Sequence, residues 1–357
     1  MNGMSTYKGK LHETVVKFPC TDIWMDSCGE EELNYGLERG ITGATSNPII
    51  VGAVVKSELA YWEPQIKNLI TEHPDATEDE LAWLLIDEVG RERSQKLLPV
   101  FEQNKGKKGR LSIQVNAKYY RCAEKMVEQA CHLNALGNNM QVKIPASAAG
   151  LKAMEEVTYR GISINATVSF TVAQAVGVAE AVERGLARRK AEHLPCEEMA
   201  PVCTIMIGRT DDWMKEYVNK NGLVCNPEAL EWVGVAVIKE AYRIYRERGY
   251  VTRLLSAANR NHYHWSQLIG GDLCQTINYK WQKRLNACDI EVKNRIGDPV
   301  PKQYMDELMK MGDFRKSFYE DEMKPKEFEK YGGFRNTITT FLGGYDDLVK
   351  LIRNYLI

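Results

Sequence analysis

The stretch Gln141-Val-Lys-Ile-Pro-Ala-Ser-Ala-Ala-Gly150 places one lysine in the middle of a short apolar run. A strand alternates its faces, so with Val142 and Ile144 on one side, Gln141, Lys143 and Pro145 take the other. An ammonium inside a strand buried on both faces costs several kcal/mol unless a site makes use of it. Desolvation disfavours its charged form, pulling the pKa down from about 10.4, and the free amine can then add to a ketone to form a Schiff base. Taken alone, Lys143 also fits a plainer account, a paired or strand-end residue with its stem along apolar surface.

Other segments carry groups that such chemistry would need. Strand parity puts Asp26, Thr45, Asn47, Ser112, Gln114, Asn165, Thr167, Thr204, Met206, Ala258 and Arg260 on the same side as Lys143, away from the aliphatic residues. So many polar residues facing inward would destabilise a core unless they formed a hydrogen-bonded pocket. Asp26 suits a general base for an alcohol proton, Asn47 and Asn165 suit substrate hydroxyls, and Thr167 suits a bound water. Arg209 and Arg260, each at the end of a strand, suit a phosphate. Six histidines, His12, His73, His132, His193, His262 and His264, lack clustered partners on strand ends, so no metal or other cofactor is expected, and His262 and His264 are expected on a helix surface.

The elements that must position these residues alternate. Strands are expected at Asp22–Ser27, Thr42–Pro48, Arg110–Val115, Met140–Pro145, Ser163–Val168, Val202–Gly208, Val251–Ala258 and Leu273–Asn278, with a helix-length segment between each pair. Helices are expected at Glu30–Arg39, Ala76–Lys96 behind a Thr77-x-x-Glu80 capping box, Ala117–Asn134, Ser147–Arg160 and from the fifth strand through Arg188. Eight strands alternating with helices imply an α/β fold, a closed (β/α)8 barrel. The expected organisation is one domain over 1–357, with the barrel at about 20–290, a helical insertion after the second strand, and a helical extension at about 291–357 that includes Pro301–Met323 and Tyr345–Ile357.

Composition narrows the class. The 357 residues are 44% hydrophobic and 27% charged, and 47 basic against 48 acidic side chains leave a net charge of -1. No global field recruits nucleic acid or an anionic membrane. Nine scattered cysteines, odd in number and without a C-x-x-C pair, fit a reducing compartment. Met1–Lys17 is polar and no window nears about 18 apolar residues, so the expectation is a cytoplasmic protein with no membrane partner. A homo-oligomer is allowed.

The motifs Asp26-Ser-Cys-Gly29, Ala44-Thr-Ser-Asn-Pro48, Val142-Lys-Ile-Pro-Ala146, Gly161-Ile-Ser-Ile-Asn-Ala-Thr167 and Ile207-Gly-Arg209 occur in this order, and with them the chain resembles the transaldolases from about Asp22 to Asn278. The resemblance implies a Schiff base on Lys143, hydroxyl deprotonation by Asp26 during carbon-carbon cleavage, and a Thr45/Asn47 turn. It also implies Asn165 and Thr167 at the substrate and a catalytic water, and Arg209 and Arg260 at phosphate. The implied partners are sugar phosphates, a ketose donor and an aldose acceptor. Gln114 stands where transaldolases usually have a glutamate and where the related fructose-6-phosphate aldolases have glutamine; an amide holds a water but cannot exchange a proton with it. Met206 replaces the phenylalanine of transaldolases and the tyrosine of those aldolases. Ala258 and Asn259 replace a small hydroxyl residue and an aromatic. An aldolase that releases dihydroxyacetone and a catalytically idle sugar-phosphate-binding protein therefore stand as alternatives to the transferase.

Overall fold

The computed structural model describes residues 7–357. Eight strands, β1 (Thr21–Met25), β2 (Gly43–Thr45), β3 (Arg110–Gln114), β4 (Met140–Pro145), β5 (Ile164–Ser169), β6 (Val202–Ile205), β7 (Arg253–Ser256) and β8 (Leu273–Ile277), pair in chain order. All pairs are parallel, and β8 closes on β1 from Thr21↔Leu273 to Met25↔Ile277, leaving no sheet edge. This is the expected (β/α)8 barrel. Among the described residues no helix is long and apolar enough to cross a membrane.

Two apolar clusters follow from the alternation of strand faces. The larger packs Ile23, Met25, Ile113, Val142, Ile144 and Ile205 against the outer helices, including Leu151, Met154 and Val157 behind β4. The smaller lies apart from it and joins Trp24, Val202, Leu255, Ala257 and Cys274 from β1, β6, the β7 region and β8. Leu255 of the seventh strand and Ala257 just after it thus face inward, and not Ala258, which adopts φ 68. At the C-terminal ends of the strands, side-chain caps turn strand into helix. Asn47 accepts from Ile50 N, Ser147 from Gly150 N, Thr171 from Gln174 N and Asn278 from Trp281 N.

Several strands are shorter than expected because the helices after them begin early. β2 stops at Thr45 and Pro48 opens helix Pro48–Ser57; β6 stops at Ile205, so Met206–Gly208 is not strand but the entry to helix Ile207–Lys220. Met206 remains buried there. The insertion after β2 comprises Pro48–Ser57, Leu59–Glu72, Glu78–Gln95 and Leu98–Gln103, with the Thr77/Glu80 capping box formed. Pro301–Met323 is two short helices, Lys302–Leu308 and Gly312–Phe318, and a further helix, Lys10–Lys17, precedes β1 with Leu11 buried and Val15 packed on the core.

The final helix runs Gly332–Leu356, far longer than its apolar repeat after Tyr345 suggests. Its glycines depress helix propensity but permit close packing. A Cβ on Gly344 would lie 2.1 Å from Ile49, and one on Gly332 the same distance from Trp213. Tyr345 donates to Asp79 at 2.6 Å and Arg353 pairs with Glu78 at 2.5 Å, so tail and insertion pack together beside the barrel.

Candidate active site

Lys143 sits in mid-β4, in register with Gln114 of β3 and Asn165 of β5. It is 5% exposed. Among the described residues no hydrogen bond or ion pair reaches its ammonium. Burial lowers its pKa to about 8; Asp26 opposes this and Arg209 adds to it. Asp26 follows β1 and is held by Thr45, whose Oγ1 lies 2.7 Å from Asp26 Oδ1 and 2.7 Å from Thr276 Oγ1. Burial raises the Asp26 carboxyl above its ordinary range, against the pull of Lys143, Thr45 and Arg209. The interior thus holds a lysine and a carboxylic acid whose charged forms are both disfavoured by desolvation and favoured by each other.

Beside Lys143, both amide atoms of Gln114 and the hydroxyl of Thr167 are buried with no partner. Buried polar atoms are nearly always paired, so these groups are free to take a water or a ligand. Thr167 owes its place to a bulge: the β5/β6 register shifts between Ala166 and Ser169, and Val168 adopts φ 53, a strained conformation for a β-branched residue. Gln174 holds that strain. Its Nε2 donates to Ala146 O and Val168 O, each at 3.0 Å, and its Oε1 accepts from Phe170 N at 2.9 Å, tying the turn after β4 to the bulge.

Asn165 and Thr204 are placed differently. Thr204 Oγ1 donates to Asn165 Oδ1 at 2.7 Å and Asn165 Nδ2 to Ser112 Oγ at 3.0 Å. Ser112 in turn donates to Gln141 Oε1 at 2.6 Å. Both residues therefore belong to a hydrogen-bonded network that runs from Thr204 through Asn165, the register partner of Lys143, to Ser112 and Gln141. Asn47 is partly committed as well, its Oδ1 capping the helix after β2.

Arg209 and Arg260 meet at the C-terminal mouth. Arg209 lies in the first turn of helix Ile207–Lys220; its Nη1 is 3.4 Å from Thr337 Oγ1 and its guanidinium 5.5 Å from the Phe341 ring, both on the final helix. Burial, then Arg260, lowers its pKa, with Asp212 and Asp26 opposing. Arg260 is held by Asp212, with Nη2 at 2.7 Å and Nε at 3.0 Å from Oδ2. Its backbone N–H donates to His264 Nδ1 at 3.1 Å. His264, expected on a helix surface, is fully buried against Asp211 because its helix, Tyr263–Ser266, is a single turn folded under the Arg260 loop.

Sequence parity did not provide Thr276, Gln174, Asp211, Asp212, Thr337 or Phe341. Thr276 follows from alternation on β8, and Thr171-x-x-Gln174 is a readable capping pattern. The others are contacts between distant segments and leave no local signal.

Fold and site place the chain among (β/α)8 barrels that gather their polar groups around an interior lysine at the C-terminal ends of the strands. Within that class it belongs to the Transaldolase/Fructose-6-phosphate aldolase family, whose profile matches residues 23–328. It is 29% identical over 233 residues to a transaldolase of Thiobacillus denitrificans, covering 63% of this chain and 64% of that protein. It is also 29% identical over 237 residues to a transaldolase of Acidothermus cellulolyticus, covering 63% and 62%. The chain thus spans under two thirds of the length of these relatives, and helix Gly332–Leu356 lies beyond the segment the family profile matches.

Proposed function

We propose that this protein is a transaldolase-type transferase that carries a three-carbon dihydroxyacetone unit from a ketose phosphate to an aldose acceptor. Lys143 carries the reading: a buried, unpaired amine with a lowered pKa, beside the unpaired groups of Gln114 and Thr167. Its Nζ adds to the C2 carbonyl, and the carbinolamine loses water to give the iminium. Asp26 takes the proton of the C4 hydroxyl. The C3–C4 bond breaks, its electron pair passes to the iminium as an enamine, and the aldose departs. The enamine carbon then adds to the acceptor aldehyde, the new alkoxide recovers a proton from Asp26, and hydrolysis of the iminium returns Lys143. Gln114 and Thr167 orient the water lost and regained in these steps. Arg209 and Arg260 form the phosphate end, where Asp212 moderates the charge of Arg260.

Borohydride reduction in the presence of fructose 6-phosphate, followed by peptide mass spectrometry, tests the assignment. The adduct should lie on Lys143; an adduct elsewhere, or none during turnover, overturns it. Gln114 favours a second reading, an aldolase that releases dihydroxyacetone, because an amide cannot relay protons as a carboxylate does. Free dihydroxyacetone measured with and without an acceptor aldehyde separates the two.

A further inference from the structure

Asp211 and Asp212 are consecutive in the first turns of helix Ile207–Lys220, two and three residues after Arg209, and they face different things. Asp212 holds the guanidinium of Arg260 from outside. Asp211 is 0% exposed, and each of its oxygens accepts one N–H: Oδ1 from Gly234 N at 2.8 Å, Oδ2 from His264 Nε2 at 2.8 Å. The imidazole is equally buried, and its Nδ1 accepts the backbone N–H of Arg260 at 3.1 Å. Accepting there fixes the tautomer, so the proton is on Nε2 and is donated to Asp211. A chain of three hydrogen bonds thus runs from the start of helix Val233–Arg248, through Asp211 and His264, to the backbone of Arg260.

That chain supports a loop that needs support. Ala258 is a non-glycine residue at φ 68, and a Cβ on Gly208 would lie 1.6 Å from Ala258 O, so the loop presses directly on the helix that carries Arg209. Strained backbone persists where its surroundings over-determine it. We propose that His264 and Asp211 are positioning residues for Arg260, fixing the loop between Ala257 and Asn261 so that its guanidinium stands beside Arg209 at the mouth of the site. The proposal rests on the reading of these arginines as the phosphate end.

The carboxylate is specifically required. An asparagine at 211 has one oxygen for two donors, so it must lose either Gly234 or His264, or offer its NH₂ to Nε2 and drive the proton to Nδ1 against the Arg260 N–H. Asp211→Asn and His264→Ala should both speed hydrogen exchange at the Arg260 amide. Both should raise KM for fructose 6-phosphate about tenfold, the equivalent of one buried hydrogen bond, with kcat and the KM for unphosphorylated fructose little changed. His264→Asn, whose carboxamide oxygen can reach the Arg260 N–H, should recover part of the loss, whereas His264→Gln should not. Unaltered exchange at the Arg260 amide in folded Asp211→Asn overturns the brace, as does a KM rise of equal size for both sugars. Arg260→Ala serves as the control: if it leaves the preference for the phosphorylated sugar intact while exchange still accelerates in His264→Ala, the phosphate assignment fails and the brace stands.

Discussion

Inside one barrel lie two sets of polar side chains built on opposite terms. In one, Thr204, Asn165, Ser112 and Gln141 hand hydrogen bonds from one to the next, and Gln141 Nε2 ends the series on Ala200 O at 2.8 Å. In the other, Gln114 and Thr167 are as deeply buried with no partner among the described residues for their side-chain polar atoms, and no hydrogen bond or ion pair from those residues reaches the Lys143 ammonium on the strand between them. In the first arrangement each member is hydrogen-bonded by the others. The second costs roughly 1–3 kcal/mol for each group left unpaired. A barrel interior is therefore not marked as a site by polarity alone; here two of the unanswered groups flank a buried lysine.

Lys143 should break that comparison most completely. Lys143→Met should lower turnover by on the order of 10⁴-fold or more and abolish borohydride trapping. The same change should raise stability at neutral pH. Below about pH 8 the lysine is charged in both folded and unfolded chains, and the folded one bears the full desolvation cost. Between about 8 and 10.5 only the unfolded chain keeps the proton, so the parent gains stability as pH rises and the advantage of the methionine variant shrinks. At neutral pH the advantage is on the order of 3 kcal/mol, readable in denaturant titrations. A variant that is less stable at pH 7 would contradict the cost assigned to Lys143. In the parent, Schiff-base formation should rise with pH to a plateau above about 8.

Asp26 comes next. Asp26→Asn removes the base but keeps the shape and the acceptor for Thr45, so turnover should fall by about 10²- to 10⁴-fold while borohydride still captures the ketose on Lys143. Loss of both together would mean that Asp26 sets the state of Lys143 instead of breaking the carbon-carbon bond. Arg209→Ala should raise KM about 10- to 100-fold for a phosphorylated ketose and much less for its dephosphorylated analogue, the loss of one or two charge-assisted hydrogen bonds. Equal losses would remove phosphate from the account.

Much of this arrangement was readable from the chain because strands alternate strictly. Parity placed Asp26, Thr45, Ser112, Gln114, Lys143, Asn165, Thr167 and Thr204 on one side, and eight strand-helix units implied the closed barrel. What parity could not do was separate the paired from the unpaired. Whether Asn165 meets Ser112 or a substrate depends on how β3, β4 and β5 align, a property of the sheet and not of any one strand. Strand ends were overrun at β2, β6 and β7, where apolar residues such as Ile207 continue into the first helical turn with no break in period. His264 and the Arg209 contacts Thr337 and Phe341 were invisible for a simpler reason. A single helical turn has no period, and the final helix reaches the mouth across 128 residues of chain.

The two sets can finally be compared through stability, in a pair of variants whose effects should have opposite signs. Thr204→Val keeps the volume but removes the donor to Asn165 Oδ1, leaving a buried acceptor unpaired, so it should destabilise by about 1–3 kcal/mol. Activity should stay within about twofold of the parent, since no reacting group is touched. Gln114→Met also nearly keeps volume, yet it removes two buried atoms that had no partner to lose, so the fold should hold its stability or gain up to about 1–3 kcal/mol. Turnover should then fall about tenfold or more, because the water beside Lys143 loses an orienting group. Denaturant midpoints at constant slope, measured with turnover on the same preparations, decide the matter. If both variants lose stability alike, or if Thr204→Val depresses turnover as far as Gln114→Met does, the division of the interior into a closed structural set and an open reactive one is wrong.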